Sequence, residues 1–266
     1  MNVSPDGRRV VYGRADGAAD QNLWVTDMVR GTTSRLTFLQ SGIASDGAWS
    51  PDMSQVAFTF DSGARRSIRL VSAFGGEPRT MAVDQPQPSV DDWTPDGQFI
   101  IYHSNSSRAL WAARVDGQSP PTLLVKPATG RVDQPSVSPD NKWLVFQTEE
   151  SGRSEVYVAS FPVTSRRWQV SGDGGMQPAW SRDGRELFFA TPGGSLMSVT
   201  VALKGDGLEL GTPQALLDLG FLPTFGTEQF QVLPDGGFLI MKPQDGTGAD
   251  ASRSLSVWLN AVRPTP

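Results

Sequence analysis

The chain has no cysteine and a single histidine, His103. Without thiols there can be no disulfide and no thiolate metal site, and one imidazole cannot build a multi-histidine centre. A Ser-His-Asp triad would depend wholly on His103, which reads more simply as a polar residue closing an apolar strand beside Tyr102. The lack of cysteine leaves the redox compartment open, although it suits an extracytoplasmic bacterial protein. Lys and Arg are not gathered into any block, the net charge is -5 and the pI is near 4.9. Nucleic acid and anionic membrane surfaces are therefore not expected partners. No run approaches the roughly 18 apolar residues of a membrane helix. Residues Met1 to Gly7 lack the charged and apolar regions of a signal peptide, so no direct membrane insertion is expected.

Turn-formers are abundant: 28 glycines and 20 prolines in 266 residues, beside 38% hydrophobic residues. That balance favours short strands, tight turns and one all-β domain over 1–266. One unit recurs six times, as Ser4-Pro5-Asp6-Gly7, Ser50-Pro51-Asp52-Met53, Thr94-Pro95-Asp96-Gly97, Ser138-Pro139-Asp140-Asn141, Ser181-Arg182-Asp183-Gly184 and Leu233-Pro234-Asp235-Gly236. Its period is about 44 residues, with a longer last interval assigned to the loop Gly220 to Gly226. Pro presets φ, Asp caps the turn's own amides, and the fourth residue takes positive φ. Met53 is the wrong residue for that position, so the second turn is expected to be distorted or of another type.

Each turn is followed by an apolar strand, among them Val10-Val11-Tyr12, Ile100-Ile101-Tyr102 and Leu187-Phe188-Phe189, and preceded by a shorter one. A third strand and a weaker fourth complete the unit. Four antiparallel strands in this length make one propeller blade. The expected fold is thus a six-bladed β-propeller with blades at approximately 1–38, 46–83, 90–126, 134–171, 177–219 and 228–262. The sixth repeat shows no fourth strand. The ring is expected to be cut inside a blade, completed by a segment preceding Met1 in a longer protein, or imperfectly by Arg263 to Pro266. Trp49, Trp93 and Trp180 share one repeat position and Trp24, Trp111 and Trp258 another, which predicts packing between blades.

The Trp-Ser-Pro-Asp unit with its following strand resembles the PD40 family of WD40-like repeats, the propeller type of the periplasmic protein TolB. The stretches Glu155 to Pro162 and Trp168 to Phe189 also look like the C-terminal propellers of bacterial transmembrane serine/threonine kinases and membrane-bound winged-helix regulators. That resemblance implies a non-catalytic, periplasmic or otherwise extracytoplasmic sensor or scaffold module. No kinase motif is present in the chain itself.

Function is expected at the rim where the first strands begin. There the repeat places Asp46, Asp91, Asp92, Asp133 and Glu228 with Gln134, Gln177 and Gln229 around one mouth of the channel. Their charge fits a cationic ligand, a basic peptide or a weakly held calcium ion on Asp91, Asp92 and Asp133; no other cofactor is expected. The apolar loop Gly220 to Gly226 either plugs the channel or offers a protein contact. The leading function is binding of a protein, peptide or small ligand at this mouth. Alternatives are a calcium-dependent lactonase-like hydrolase and the accessory propeller of a prolyl-oligopeptidase-like peptidase, although Gly-x-Ser-x-Gly is missing.

Overall fold

A computed structural model describes residues 1–15, 20–162, 166–223, 229–242 and 254–258, with only the backbone described for 242 and 254–258. These residues form strands, turns and bends, and none of their elements is a helix long and apolar enough to cross a membrane.

The described strands form five sheets; the largest, of eight strands, joins two antiparallel four-stranded units through a single parallel pair, Gln21↔Ile43, so that six antiparallel units follow one another along the chain. The first is β1 (Asn2–Val3), β2 (Arg9–Ala15), β3 (Gln21–Asp27) and β4 (Thr32–Arg35); the second is β5 (Ile43–Trp49), β6 (Gln55–Asp61), β7 (Arg66–Ser72) and β8 (Arg79–Thr80). The third is β9 (Pro88–Trp93), β10 (Phe99–Ser104), β11 (Ala109–Arg114) and β12 (Thr122–Val125); the fourth is β13 (Val132–Val137), β14 (Trp143–Thr148), β15 (Glu155–Ser160) and β16 (Arg167–Gln169). The fifth holds β17 (Met176–Trp180), β18 (Glu186–Ala190), β19 (Ser195–Lys204), β20 (Gly207–Leu210) and β21 (Gln214–Asp218). The sixth holds β22 (Phe230–Val232), β23 (Phe238–Lys242) and β24 (Ser254–Trp258).

The apolar strands pack face to face between neighbouring units. Val11, Leu23 and Phe58 join the first to the second; Ile68, Val90 and Tyr102 the second to the third; Ile101, Leu144 and Phe146 the third to the fourth. Val145, Trp180 and Leu187 continue to the fifth, Phe188, Phe230 and Phe238 to the sixth, and Val3 and Val10 meet Leu233 and Leu239 to return to the first. Radial packing of this kind explains why the second strands read as unbroken apolar runs: both their faces are covered. Trp49, Trp93 and Trp180 are buried, and their indole N–H groups donate to Asn2 O, Gly97 O and Ser136 O. Trp24 and Trp111 are half-buried, and the side chain of Trp258 lies outside the described residues.

Two expectations need correction. The second turn is not distorted: Met53 adopts φ of 59° and donates its N–H to Ser50 O at 2.9 Å, as Gly97 does to Thr94 O at 2.8 Å. Asp52 accepts Ser50 Oγ at 2.6 Å and Ser54 N–H at 3.0 Å, and these bonds hold the backbone where the side chain would not choose to be. Met53→Gly is accordingly expected to raise stability by about 1 kcal/mol. Thermal denaturation checks this, and a lowered midpoint would mean that the Met53 side chain contributes more by packing than its backbone strain costs.

The second correction concerns the long interval. The extra length lies in a hairpin, with the far half of β19 pairing β20 from Val201↔Leu210 to Lys204↔Gly207, while the near half pairs β21 as the fourth strand of its unit. This hairpin covers the outer edge of the fourth unit, where Leu208 is buried with Trp143 and Trp168. Of the loop Gly220 to Gly226, residues 224–226 lie outside the described residues. The sixth unit shows three strands among the described residues, and Arg263 to Pro266, which were expected to close it imperfectly, lie outside them.

Candidate ligand-binding mouth

The repeated turns lie together at one end of the ring. A Cβ placed on Gly7 would lie 2.7 Å from Pro234 Cδ, so the turns of the first and last units touch through a glycine that no other residue could replace without movement. Arg182 Nη2 donates to Pro5 O at 2.6 Å, reaching from the fifth unit to the first past the sixth. The Asp carboxylates of these turns stay with their own amides; Asp183 accepts Ser181 Oγ at 2.7 Å and Arg185 N–H at 3.1 Å. The turn carboxylates are thus spent within their own turns, and the other rim, where the first strands begin, is the candidate mouth.

At that rim four first strands bulge in the same place. The ladders shift register between Ser45 and Ala48, opposite Ile101 and Tyr102, between Asp133 and Ser136, and between Met176 and Ala179. The extra residues include Asp46, Asp91, Gln134 and Gln177, and three of these take left-handed φ: Asp46 51°, Gln134 47° and Gln177 55°. A bulge releases a residue from the strand's strict alternation and re-aims it. The Gly or Pro after three of them (Gly47, Pro135, Pro178) is its trace in the sequence.

The predicted site residues divide into distinct roles. Asp46 is exposed and accepts Ser45 Oγ at 3.0 Å. Asp91 receives His103 Nδ1 at 2.9 Å, its side chain 7% exposed and that of His103 21%. Asp92 turns away from the mouth: Oδ1 accepts Trp93 N–H at 2.8 Å and Oδ2 accepts Val137 N–H at 2.9 Å on the next unit. Asp133 accepts Gln147 Nε2 at 2.6 Å; Gln147 Oε1 accepts Gln177 N–H at 2.7 Å; Gln177 Oε1 accepts Gln229 N–H at 2.9 Å. This chain of side chains ties the fourth, fifth and sixth units together. Gln134 is buried, and its Oε1 lacks a hydrogen-bond partner. Glu228 lies outside the described residues.

Burial raises the Asp91 carboxyl against the pull of His103, lifts Asp92 to about 7 against the amides of Val137 and Trp93, and lifts Asp133 to about 6. Burial also pulls the His103 imidazole down. The adjoining Asp91 carboxylate outweighs it, helped by Asp133 and Asp46, and the ring reaches about 9. His103 is thus charged at neutral pH, and it was the residue that sequence reasoning set aside. The β9–β10 register sets His103 opposite Ser89, and it is the extra residue at the bulge, Asp91, that carries its carboxylate onto the imidazole, so spacing along the sequence does not reveal the pair. Because Asp91, Asp92 and Asp133 are each committed elsewhere, they do not converge as a calcium site. Among the described residues no three His, Asp or Glu side chains form a metal-ligand group.

Beside this pair lies a cavity of about 380 Å³ between the third and fourth units. His103, Asn105 and Arg108 form one wall, and Arg131, Asp133 and Glu149 the other.

Comparison with known proteins agrees with this architecture. A solved structure described as putative TolB from Agrobacterium tumefaciens superposes with a TM-score of 0.64 at 20% identity, covering 80% of each chain. An oligogalacturonate lyase in complex with manganese gives 0.65 at 14% identity, covering 96% of this chain and 75% of the other; these likenesses show a shared propeller fold. The Tol-Pal system protein TolB of Francisella tularensis subsp. mediasiatica is 25% identical over 165 residues, 61% of this chain. The chain spans 38% of the length of the curated relatives it matches. The sequence profile of the TolB beta propeller domain, PD40, matches residues 2–184, and the chain belongs to that family.

Proposed function

We propose that this chain is a six-bladed, non-catalytic recognition propeller, the extracytoplasmic sensor or scaffold part of a larger bacterial signalling protein, and that a protein, peptide or small ligand enters at the mouth beside His103. The observation that carries this reading is the cavity of about 380 Å³ between the third and fourth units, lined by His103 with Asp91 holding the imidazole from behind. Concave sites with a few convergent polar groups are where ligands bind. The likeness of Glu155 to Pro162 and Trp168 to Phe189 to kinase-linked propellers supports the signalling role, and the net charge of -5 supports a partner other than nucleic acid.

The likeness to a manganese-bound lyase raises an enzymatic reading. That reading, like a calcium-dependent hydrolase, needs a set of ligands that converge, and Asp91, Asp92 and Asp133 each serve another partner.

Since His103 is the sole histidine, its ring resonances report on the mouth alone. Titration with pools of peptides and small metabolites is expected to move them saturably for at least one pool. Ring signals that no pool displaces would refute binding at this rim.

A further inference from the structure

The cavity has an uneven hydrogen-bond balance. Its carboxylates are engaged: Asp133 accepts from Gln147, Glu149 lies 3.4 Å from the Arg131 guanidinium, and Asp91, behind the wall, holds His103 Nδ1. What remains are donors on one short segment at the end of β10. His103 keeps Nε2, and the exposed side chains of Asn105 and Arg108 make no hydrogen bond or ion pair among the described residues. Arg108 is held there by a tight turn, its N–H donating to Ser104 O at 2.8 Å with φ of 52°. A planar guanidinium beside an imidazole and a carboxamide matches the geometry of a carboxylate, which accepts two parallel N–H bonds. A cationic guest would instead have to compete with Arg131 for Glu149 and Asp133.

We propose that this cavity binds the carboxylate of a small ligand through His103, Asn105 and Arg108. The proposal rests on the mouth-binding reading and names its chemistry, replacing the cationic ligand expected from the acidic composition of the rim. The volume lies within the roughly 300–1,000 Å³ of small-molecule sites. The carboxylate belongs either to a free organic acid or to the C-terminus of a peptide.

The test follows the His103 ring by NMR in the intact chain at pH 6.5 and constant ionic strength. Acetate is expected to shift the ring saturably, acetamide and methylammonium not to. Arg108→Gln should weaken acetate binding about tenfold, the loss of one charge-assisted pair. Arg114→Gln, at an exposed arginine paired with Asp116, should leave it unchanged. Succinate, an acetylated tripeptide acid and its C-terminal amide separate the two sources of the group, the tighter of the two acids identifying which. Acetate acting no more strongly than acetamide, saturation by methylammonium, or unchanged affinity in Arg108→Gln overturns the proposal. If other compounds move the ring while acetate does not, the carboxylate assignment fails and mouth binding stands; if none does, both fail.

Discussion

Replacing Asp92 by alanine is expected to lower the unfolding free energy by about 3 kcal/mol, the largest effect of any single change at the rim. For a domain of this size the thermal midpoint should fall by roughly 6–12 °C. The carboxylate ties the backbone N–H of Trp93 to that of Val137 on the neighbouring unit, at 2.8 and 2.9 Å. Alanine removes both acceptors and strands amides that the surrounding packing shields from water. Asp92→Asn keeps one acceptor and should lose about half as much. Because burial lifts the Asp92 carboxyl to about 7, the neutral isostere should be better tolerated relative to wild type at pH 8 than at pH 5. Denaturant titration of the two variants tests this. A loss below about 1 kcal/mol for alanine would mean that the third and fourth units are held by their apolar faces alone.

The second large effect is a fall in thermal stability as pH rises from about 4 to 9. Burial lifts Asp133 to about 6 and Asp92 to about 7, above the ordinary 3.8, so the folded chain binds these protons more tightly than the unfolded one. Their contribution is complete below the ordinary value and is lost as pH climbs through 6 and 7. His103, lifted from 6.5 to about 9 chiefly by Asp91 against the effect of burial, contributes fully below 6.5 and loses that contribution as pH rises through 9. Asp91, Asp133 and Asp46 are the carboxylates that act on it. The turn carboxyls have the opposite sign: Asp52 and Asp183 are depressed by hydrogen bonds from Ser50 and Ser181, and their contribution disappears as pH falls below the ordinary carboxylate range. The maximum should therefore sit on the acid side of neutrality, as calorimetry at pH 4.5, 6, 7.5 and 9 would reveal. His103→Gln should flatten the limb between 6.5 and 9. Equal slopes in variant and wild type would show that the pair with Asp91 does not link folding to protonation.

Much of the blade plan can be read from local chemistry. Ser-Pro-Asp-Gly encodes its own turn because every bond it needs lies within five residues, as in Ser4 Oγ to Asp6 Oδ1 at 2.5 Å and Arg9 N–H to Ser4 Oγ at 2.9 Å. Even so, Met53 shows that the surrounding bonds, rather than the residue's own preference, decide the conformation. The hairpin β19–β20 does not stand out from the repeat because Val201 to Lys204 only prolongs the third strand before the turn at Gly205 and Asp206, and its seat over Trp168 shows where the added residues went.

The mouth was legible as a place and illegible as chemistry. Composition and period alone determined six repeated turns, apolar second strands and a rim bearing Asp46, Asp91, Asp92, Asp133, Gln134, Gln177 and Gln229. Only the tertiary structure decided that Asp92 faces the next unit, that Asp133 and Gln177 belong to a chain of amides joining three units, and that His103 is charged by Asp91. The physical reason is the β-bulge. One extra residue reverses which side of a strand a carboxylate occupies, and its partner then comes from a strand about 45 residues away, beyond the reach of any local pattern.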